Sequence, residues 1–125
     1  MDTAAKKRIL VAEDNVQLGL FYKKFLSSNG YSVAVVSNAN EAIEKLHYEP
    51  GFDLFITDLD MPKWDGNYSL IGANVENKDI KIIIISGFLD NPKYAFSASI
   101  SDNIIARLNK PFEPDELLEI IKKSI

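Results

Sequence analysis

Four short runs in this chain, mostly apolar, each stop at residues bearing an acid, a hydroxyl or an amine. Arg8-Ile9-Leu10-Val11-Ala12 stops at Glu13-Asp14, and Phe52 to Thr57 stops at Asp58-Leu59-Asp60. Ile80 to Ile85 stops at Ser86-Gly87, and Ile104 to Leu108 at Asn109-Lys110. Runs this short, apolar on both faces, suit strands buried in a parallel sheet covered on both sides. Tyr31 to Val36, β-branched and aromatic, is a further strand.

Between the strands the period changes to that of helices. Leu18, Phe21 and Phe25 fall at i, i+3 and i+7, and the pattern ends at Asn29-Gly30, where glycine closes a helix in the left-handed conformation. Asn38 caps the next predicted helix, with Glu41 three residues on and Ala42 and Leu46 facing inward. Asn67–Asn77 is the weakest helix candidate, because Gly72 and three asparagines are poor helix formers. Asp90 to Ser101 reads as a helix with Pro92 near its first turn. Glu113-Pro114 opens the last helix, with Leu118, Ile121 and Ile125 inward.

Five strands alternating with five helices predict an α/β fold, a three-layer sandwich on a doubly wound parallel sheet, with Ile80–Ile85 as its central strand. No Pro/Gly/Ser-rich linker divides residues 1–125, so one domain is expected, with no output domain in the chain. Cysteine is absent, which excludes disulfides, thiolate metal sites and cysteine catalysis. It also fits a reducing compartment, and a cytoplasmic location is the expectation. A net charge of -4 argues against direct nucleic-acid binding, which leaves a basic footprint. The longest apolar stretches, Ile9–Ala12 and Ile82–Ile85, fall far short of the roughly 18–20 residues that span a bilayer, so no membrane segment is expected.

Doubly wound sheets bind ligands beyond the carboxyl ends of their strands. That rim would gather Glu13, Asp14, Asp58, Asp60, Ser86 and Lys110. Clustered carboxylates repel unless a cation joins them. An all-oxygen site with a hydrated face suits Mg²⁺ or Mn²⁺. A carboxylate can also act as a nucleophile and form an acyl phosphate, a reaction that needs mainly positioning and charge neutralisation. Asp58, at the end of an interior strand, is the best nucleophile. Asp14 would hold the metal directly and Glu13 through water. Lys110 would pair with one phosphoryl oxygen, Ser86 would donate to another, and Gly87 would leave room for the group to enter.

The segments Ile9–Asn15, Asp53–Gly66, Ile83–Gly87 and Lys110-Pro111-Phe112 together resemble the receiver domain of two-component response regulators, in order and over the whole chain. The resemblance implies a flavodoxin-like (βα)5 fold with strand order 2-1-3-4-5. It implies that Asp58 accepts a phosphoryl group from a histidine kinase or phosphotransfer protein. Mg²⁺ would be bound by Asp14, Asp58 and the backbone carbonyl of Asp60. It also implies that Asp60 and Phe88 tune dephosphorylation, and that the output partner meets the surface of the fourth helix, fifth strand and fifth helix. Catalysis would be limited to slow autophosphorylation and autodephosphorylation. The chain departs from the family at Arg107, where typical receivers carry an aromatic switch residue. It departs also at Ser101–Ile105, which lacks the usual Gly-Ala turn and is slightly longer than usual.

Taken singly, these residues have duller explanations. Glu13 and Asp14 alone read as solvated acids after a strand, Asp53 as a turn or capping acid, and Lys110-Pro111 as a strand terminator. Trp64 reads as a loop aromatic and His47, the only histidine, as a solvated residue. Arg107 fits a snorkelling side chain. Two other functions compete. Leu54–Asp60 looks similar to the nucleophile motif of haloacid-dehalogenase-like phosphohydrolases, although Pro62 and the motif's position at the third strand speak against it. A receiver that signals by phosphorylation-independent binding is the other, motivated by Arg107.

Overall fold

The structure is a computed structural model and describes residues 5–61, 73, 77–89 and 102–125. Five strands, β1 (Arg8–Ala12), β2 (Ser32–Val36), β3 (Leu54–Asp58), β4 (Lys81–Ser86) and β5 (Ile104–Asn109), form one parallel sheet in the order β2-β1-β3-β4-β5. Three helices are described: α1 (Val16–Ser28), α2 (Ala39–Tyr48) and α3 (Pro114–Ser124). The expected helices at Asn67–Asn77 and Asp90–Ser101 lie largely outside the described residues, as do Trp64 and the loop after Met61. Among the described residues no helix is long and apolar enough to cross a membrane.

Side chains alternate along each strand, so continuous apolar runs feed two separate cores. Leu10, Ala12, Phe55, Ile82 and Ile84 pack with Ala42 and Leu46 of α2 on one face. Ile9, Val11, Leu54, Ile56, Ile83 and Ile85 pack with Tyr22 and Leu26 of α1 and Leu117, Leu118 and Ile121 of α3 on the other. This is the expected three-layer sandwich. The central strand is β3, however, and not the more apolar Ile80–Ile85 run. β4 has neighbours on both sides without being the middle strand. Hydrophobicity reports burial on two faces, and any interior strand satisfies that.

The inward face of α1 also differs from the expected Leu18, Phe21 and Phe25. Tyr22 and Leu26 fill the core, with Leu18 and Phe25 only partly buried beside them. Phe21 is 40% exposed and stacks on Phe25. Spacings of i+3 and i+4 both return to one helical face, so three aromatics at 21, 22 and 25 leave the stripe ambiguous. Gly30, at φ 97°, ends α1 as expected. Asn38 caps α2, its side chain accepting from the Glu41 N–H at 2.8 Å.

Asp53 ties down the start of β1. Its carboxylate accepts from the Arg8 N–H at 2.8 Å, and its own N–H donates to the Arg8 carbonyl at 2.8 Å. The β4–β5 ladder pairs Ile82 with Ile104 and then Ile83 with Ala106, so it skips Ile105. This irregularity absorbs one residue near the segment that looked long in sequence. It also switches faces: Ile104 packs on the α2 side, and Ala106 with Leu108 on the α1–α3 side.

Leu26→Ala should lower the unfolding free energy by about 2–5 kcal/mol in urea denaturation, the usual cost of emptying a closed core position. Phe21→Ala should cost less than about half of that. Equal losses would return Phe21 to the core.

Candidate functional site

The carboxyl ends of β1, β3, β4 and β5 meet at one rim because the strands are parallel and in register. Ala12 pairs with Thr57, Asp58 with Ile85, and Ser86 with Asn109. Backbone bonds carry this order into the loops. The Leu59 N–H donates to the Ile85 carbonyl at 2.8 Å, and the Lys110 N–H to the Ser86 carbonyl at 3.0 Å. Side chains from four separate stretches of chain thereby converge.

Asp58 is the last residue of β3 and only 4% exposed. One of its oxygens accepts from the Asp60 N–H at 2.8 Å, the other from the Lys110 ammonium at 2.7 Å. Glu13 is as deeply buried. Its Oε2 accepts from the Asn15 N–H at 3.1 Å, while its Oε1 is buried without a partner among the described residues. One oxygen each from Glu13, Asp14 and Asp58 lie within 4.8 Å of one another, and Asp14 faces solvent. Asn15 fixes the entry to α1, accepting from the Leu18 N–H at 3.0 Å.

The electrostatics follow from crowding. Burial, reinforced by the hydrogen bond and charge of Asp58, outweighs the Asn15 N–H and Lys110 and raises the Glu13 pKa to about 7. Burial and then the charges of Glu13 and Asp58 raise the Tyr22 phenol well above its ordinary value. Burial works against the Lys110 ammonium, but the hydrogen bond and charge of Asp58, with the charges of Asp60 and Glu13, leave its pKa raised. Burial works to raise Asp60 as well. Hydrogen bonds from Ser86 and Gly87 and the charge of Lys110 prevail and lower it.

A hard divalent cation fits this rim. The donors are all oxygen, the cluster is negative, one buried carboxylate oxygen lacks a partner among the described residues, and one acid opens to water. Mg²⁺ would be held by Asp14 and Asp58, with Glu13 behind them.

Glu13, Asp14, Asp58, Asp60, Ser86, Gly87 and Lys110 all lie where the sequence placed them. Two of them are engaged differently from expectation. The Ser86 hydroxyl, expected to wait for a phosphoryl oxygen, donates to Asp60 Oδ1 at 2.6 Å. Gly87, expected to provide space, donates its N–H to Asp60 Oδ2 at 2.8 Å. A Cβ there would stand 3.6 Å from that oxygen, an ordinary contact. Phe88 is exposed, and its N–H donates to Ser86 Oγ at 2.8 Å. Arg107 is exposed on β5; with Leu108 buried on the α1–α3 side, alternation puts it on the opposite face. Sequence reasoning missed Asn15, Tyr22 and the bridging side chain of Asp60. The Asn15–Leu18 spacing was a readable cap signal. The other two depend on which helix face turns inward and where a loop acid swings.

The response regulator receiver domain profile matches residues 9–122. The chain is 36% identical to the response regulator receiver protein CpdR of Brucella abortus, over 95% of this chain and 97% of that protein. It is 31% identical to the chemotaxis protein CheY of Bacillus subtilis, over 94% and 97%. The response regulator TrrA of Thermotoga maritima, solved in complex with Mg²⁺–BeF, superposes with a TM-score of 0.78 at 30% identity, over 95% of this chain and 99% of that one. Of two regulators of transcription that it also matches, the chain spans 53% and 49% of the length.

In the metal-free protein Glu13 titrates near 7 when folded and at 4.5 when unfolded. Between those values the folded chain keeps a proton that the unfolded chain has released, so stability must fall as pH rises through this window. The loss should be at most about 3 kcal/mol, read by urea unfolding with chelator present. Glu13→Gln should flatten that slope, and parallel curves for the two proteins would contradict it.

Proposed function

The chain belongs to the response regulator receiver domain family, and from that premise we propose that Asp58 is its phosphoacceptor in a two-component phosphorelay. Receiver domains are in general signalling domains and not enzymes. The observation that carries the proposal is the buried Asp58 carboxylate held 2.7 Å from the Lys110 ammonium, beside Glu13 and Asp14. The donor would be the phosphohistidine of a histidine kinase or phosphotransfer protein. All 125 residues would serve as one receiver domain working in the cytoplasm. The chain also matches 13% of the length of a sensor kinase, CckA of Brucella abortus.

In the reaction an oxygen of Asp58 forms a bond to phosphorus as the phosphorus–nitrogen bond of phosphohistidine breaks. The electron pair leaves with the imidazole. The ammonium of Lys110 shifts from the carboxylate to a phosphoryl oxygen and offsets its charge. The hydroxyl of Ser86 and the N–H of Gly87 donate to the remaining oxygens. Mg²⁺ at Asp14, Asp58 and the Asp60 carbonyl, with Mn²⁺ as a substitute, would neutralise the phosphoryl group as it arrives. Phosphorylation would then draw the Ser86 loop against the new group. That shift would bias the surface around β5 by a few kcal/mol at most. Arg107 stands on that strand and makes the output partner's contact the least family-like part of the proposal.

With Mg²⁺ and acetyl phosphate, intact-mass spectrometry should find one phosphoryl group per chain, labile to acid and to base as an acyl phosphate is. Asp58→Asn should remain folded and unlabelled, and Lys110→Ala should label at least about tenfold more slowly. Undiminished labelling of Asp58→Asn would remove Asp58 from the role. Repeated turnover of phosphate esters would favour a phosphohydrolase instead. Equal partner affinity for wild type, Asp58→Asn and the beryllofluoride form would favour phosphorylation-independent binding.

A further inference from the structure

The donors expected to receive phosphoryl oxygens are already engaged. Ser86 Oγ donates to Asp60 Oδ1 at 2.6 Å, Gly87 N donates to Asp60 Oδ2 at 2.8 Å, and Lys110 Nζ lies 3.4 Å from the same Oδ2. A hydroxyl, a backbone N–H and an ammonium thus converge on one carboxylate, the set that an acyl phosphate on Asp58 would need. We propose that the Asp60 carboxylate is a built-in resting occupant of this cradle, and that a phosphoryl group entering on Asp58 must displace it. The inference rests on the phosphoacceptor reading of Asp58.

The competition follows from counting protons. A serine hydroxyl has one hydrogen to donate, and a backbone amide has one. Ser86 cannot expect a second proton from its neighbour either: its Oγ is the acceptor for the Phe88 N–H. Its single hydrogen therefore goes to Asp60 or to a phosphoryl oxygen, and not to both. The same holds for the Gly87 N–H. Lys110 has three hydrogens and can serve Asp58 and an anion together. Two of the three donors are thus exclusive.

Charge adds to this. An Asp60 carboxylate displaced from its donors remains two residues from Asp58 and repels the incoming anion. Burial of Ser86 makes release of its hydroxyl from one anion costly unless another takes the place. Ser86 is fully buried, so its hydroxyl has no ready access to water once Asp60 leaves. The arrangement therefore holds the Ser86–Gly87 corner on Asp60 without phosphate, and phosphoryl entry becomes an exchange of anions that moves this corner from Asp60 to the new group. A neutral side chain at residue 60 would leave the cradle open.

Beryllofluoride, titrated in saturating Mg²⁺ into wild type, Asp60→Ala and Asp60→Asn, tests this by calorimetry. Asp60→Ala should bind about tenfold more tightly than wild type, one exclusive charged hydrogen bond or more being released from competition. Asp60→Asn keeps the size but presents an amide to two donors, and should gain less. The amide proton of Gly87, followed by NMR in the free proteins, should move upfield in Asp60→Ala, and the rest of the spectrum reports whether the fold is kept. In wild type, addition of beryllofluoride should leave that proton downfield, one anion having replaced another. If wild type binds beryllofluoride and both variants bind it no tighter, or if the Gly87 amide is unmoved by Asp60→Ala, the competition is overturned while the phosphoacceptor reading stands. If no form binds beryllofluoride and Asp58 takes no label from acetyl phosphate, the phosphoacceptor reading falls and the competition falls with it.

Discussion

Everything at the rim depends on one electrostatic problem: three carboxylates are held within reach of one another with, among the described residues, one ammonium to oppose them. Two charges about 4 Å apart interact by roughly 4 kcal/mol at an effective dielectric of about 20, so the gathering is costly. The chain meets this cost in three ways. Lys110 pairs with Asp58 at 2.7 Å. The Asn15 and Asp60 N–H groups donate into the cluster. Glu13 takes up a proton near neutral pH. A site that holds charge at this cost binds cations readily, because a cation removes the repulsion.

The sheet is what makes the gathering unavoidable. Parallel strands put all their carboxyl ends on one side, and the register sets their heights. Asp58 opposite Ile85 and Ser86 opposite Asn109 bring the acid, the hydroxyl and the amine to the same level. The two cores on either side close the strands from water, so the strand ends are the first place where polar groups can stand. Burial of β1, β3 and β4 thus supports the chemistry directly: it fixes where Glu13, Asp58 and Ser86 begin.

The fold was legible because β1, β3 and β4 are runs apolar on both faces, each ended abruptly by a polar residue. The site was legible because those endings carry its side chains. Less could be read where two spacings serve one geometry. Phe21 and Tyr22 are adjacent aromatics on α1, and only packing decides that Tyr22 goes inward. The most apolar strand was not the central one, since hydrophobicity does not rank interior positions. Asp60 was legible as a residue near the site but not as the acceptor for Ser86 and Gly87. That role depends on a rotamer reaching across to another strand, which no spacing encodes. The skipped Ile105 was foreshadowed only as a segment slightly too long.

Calorimetric titration of Mg²⁺ into the unphosphorylated protein at pH 8 tests the central account most directly, because Glu13 has then lost its proton and the cluster carries its full charge. The account predicts saturable binding at one site, abolished in Asp14→Ala and sharply weakened in Asp58→Asn. Absence of binding in wild type, or equal binding in all three proteins, would contradict it.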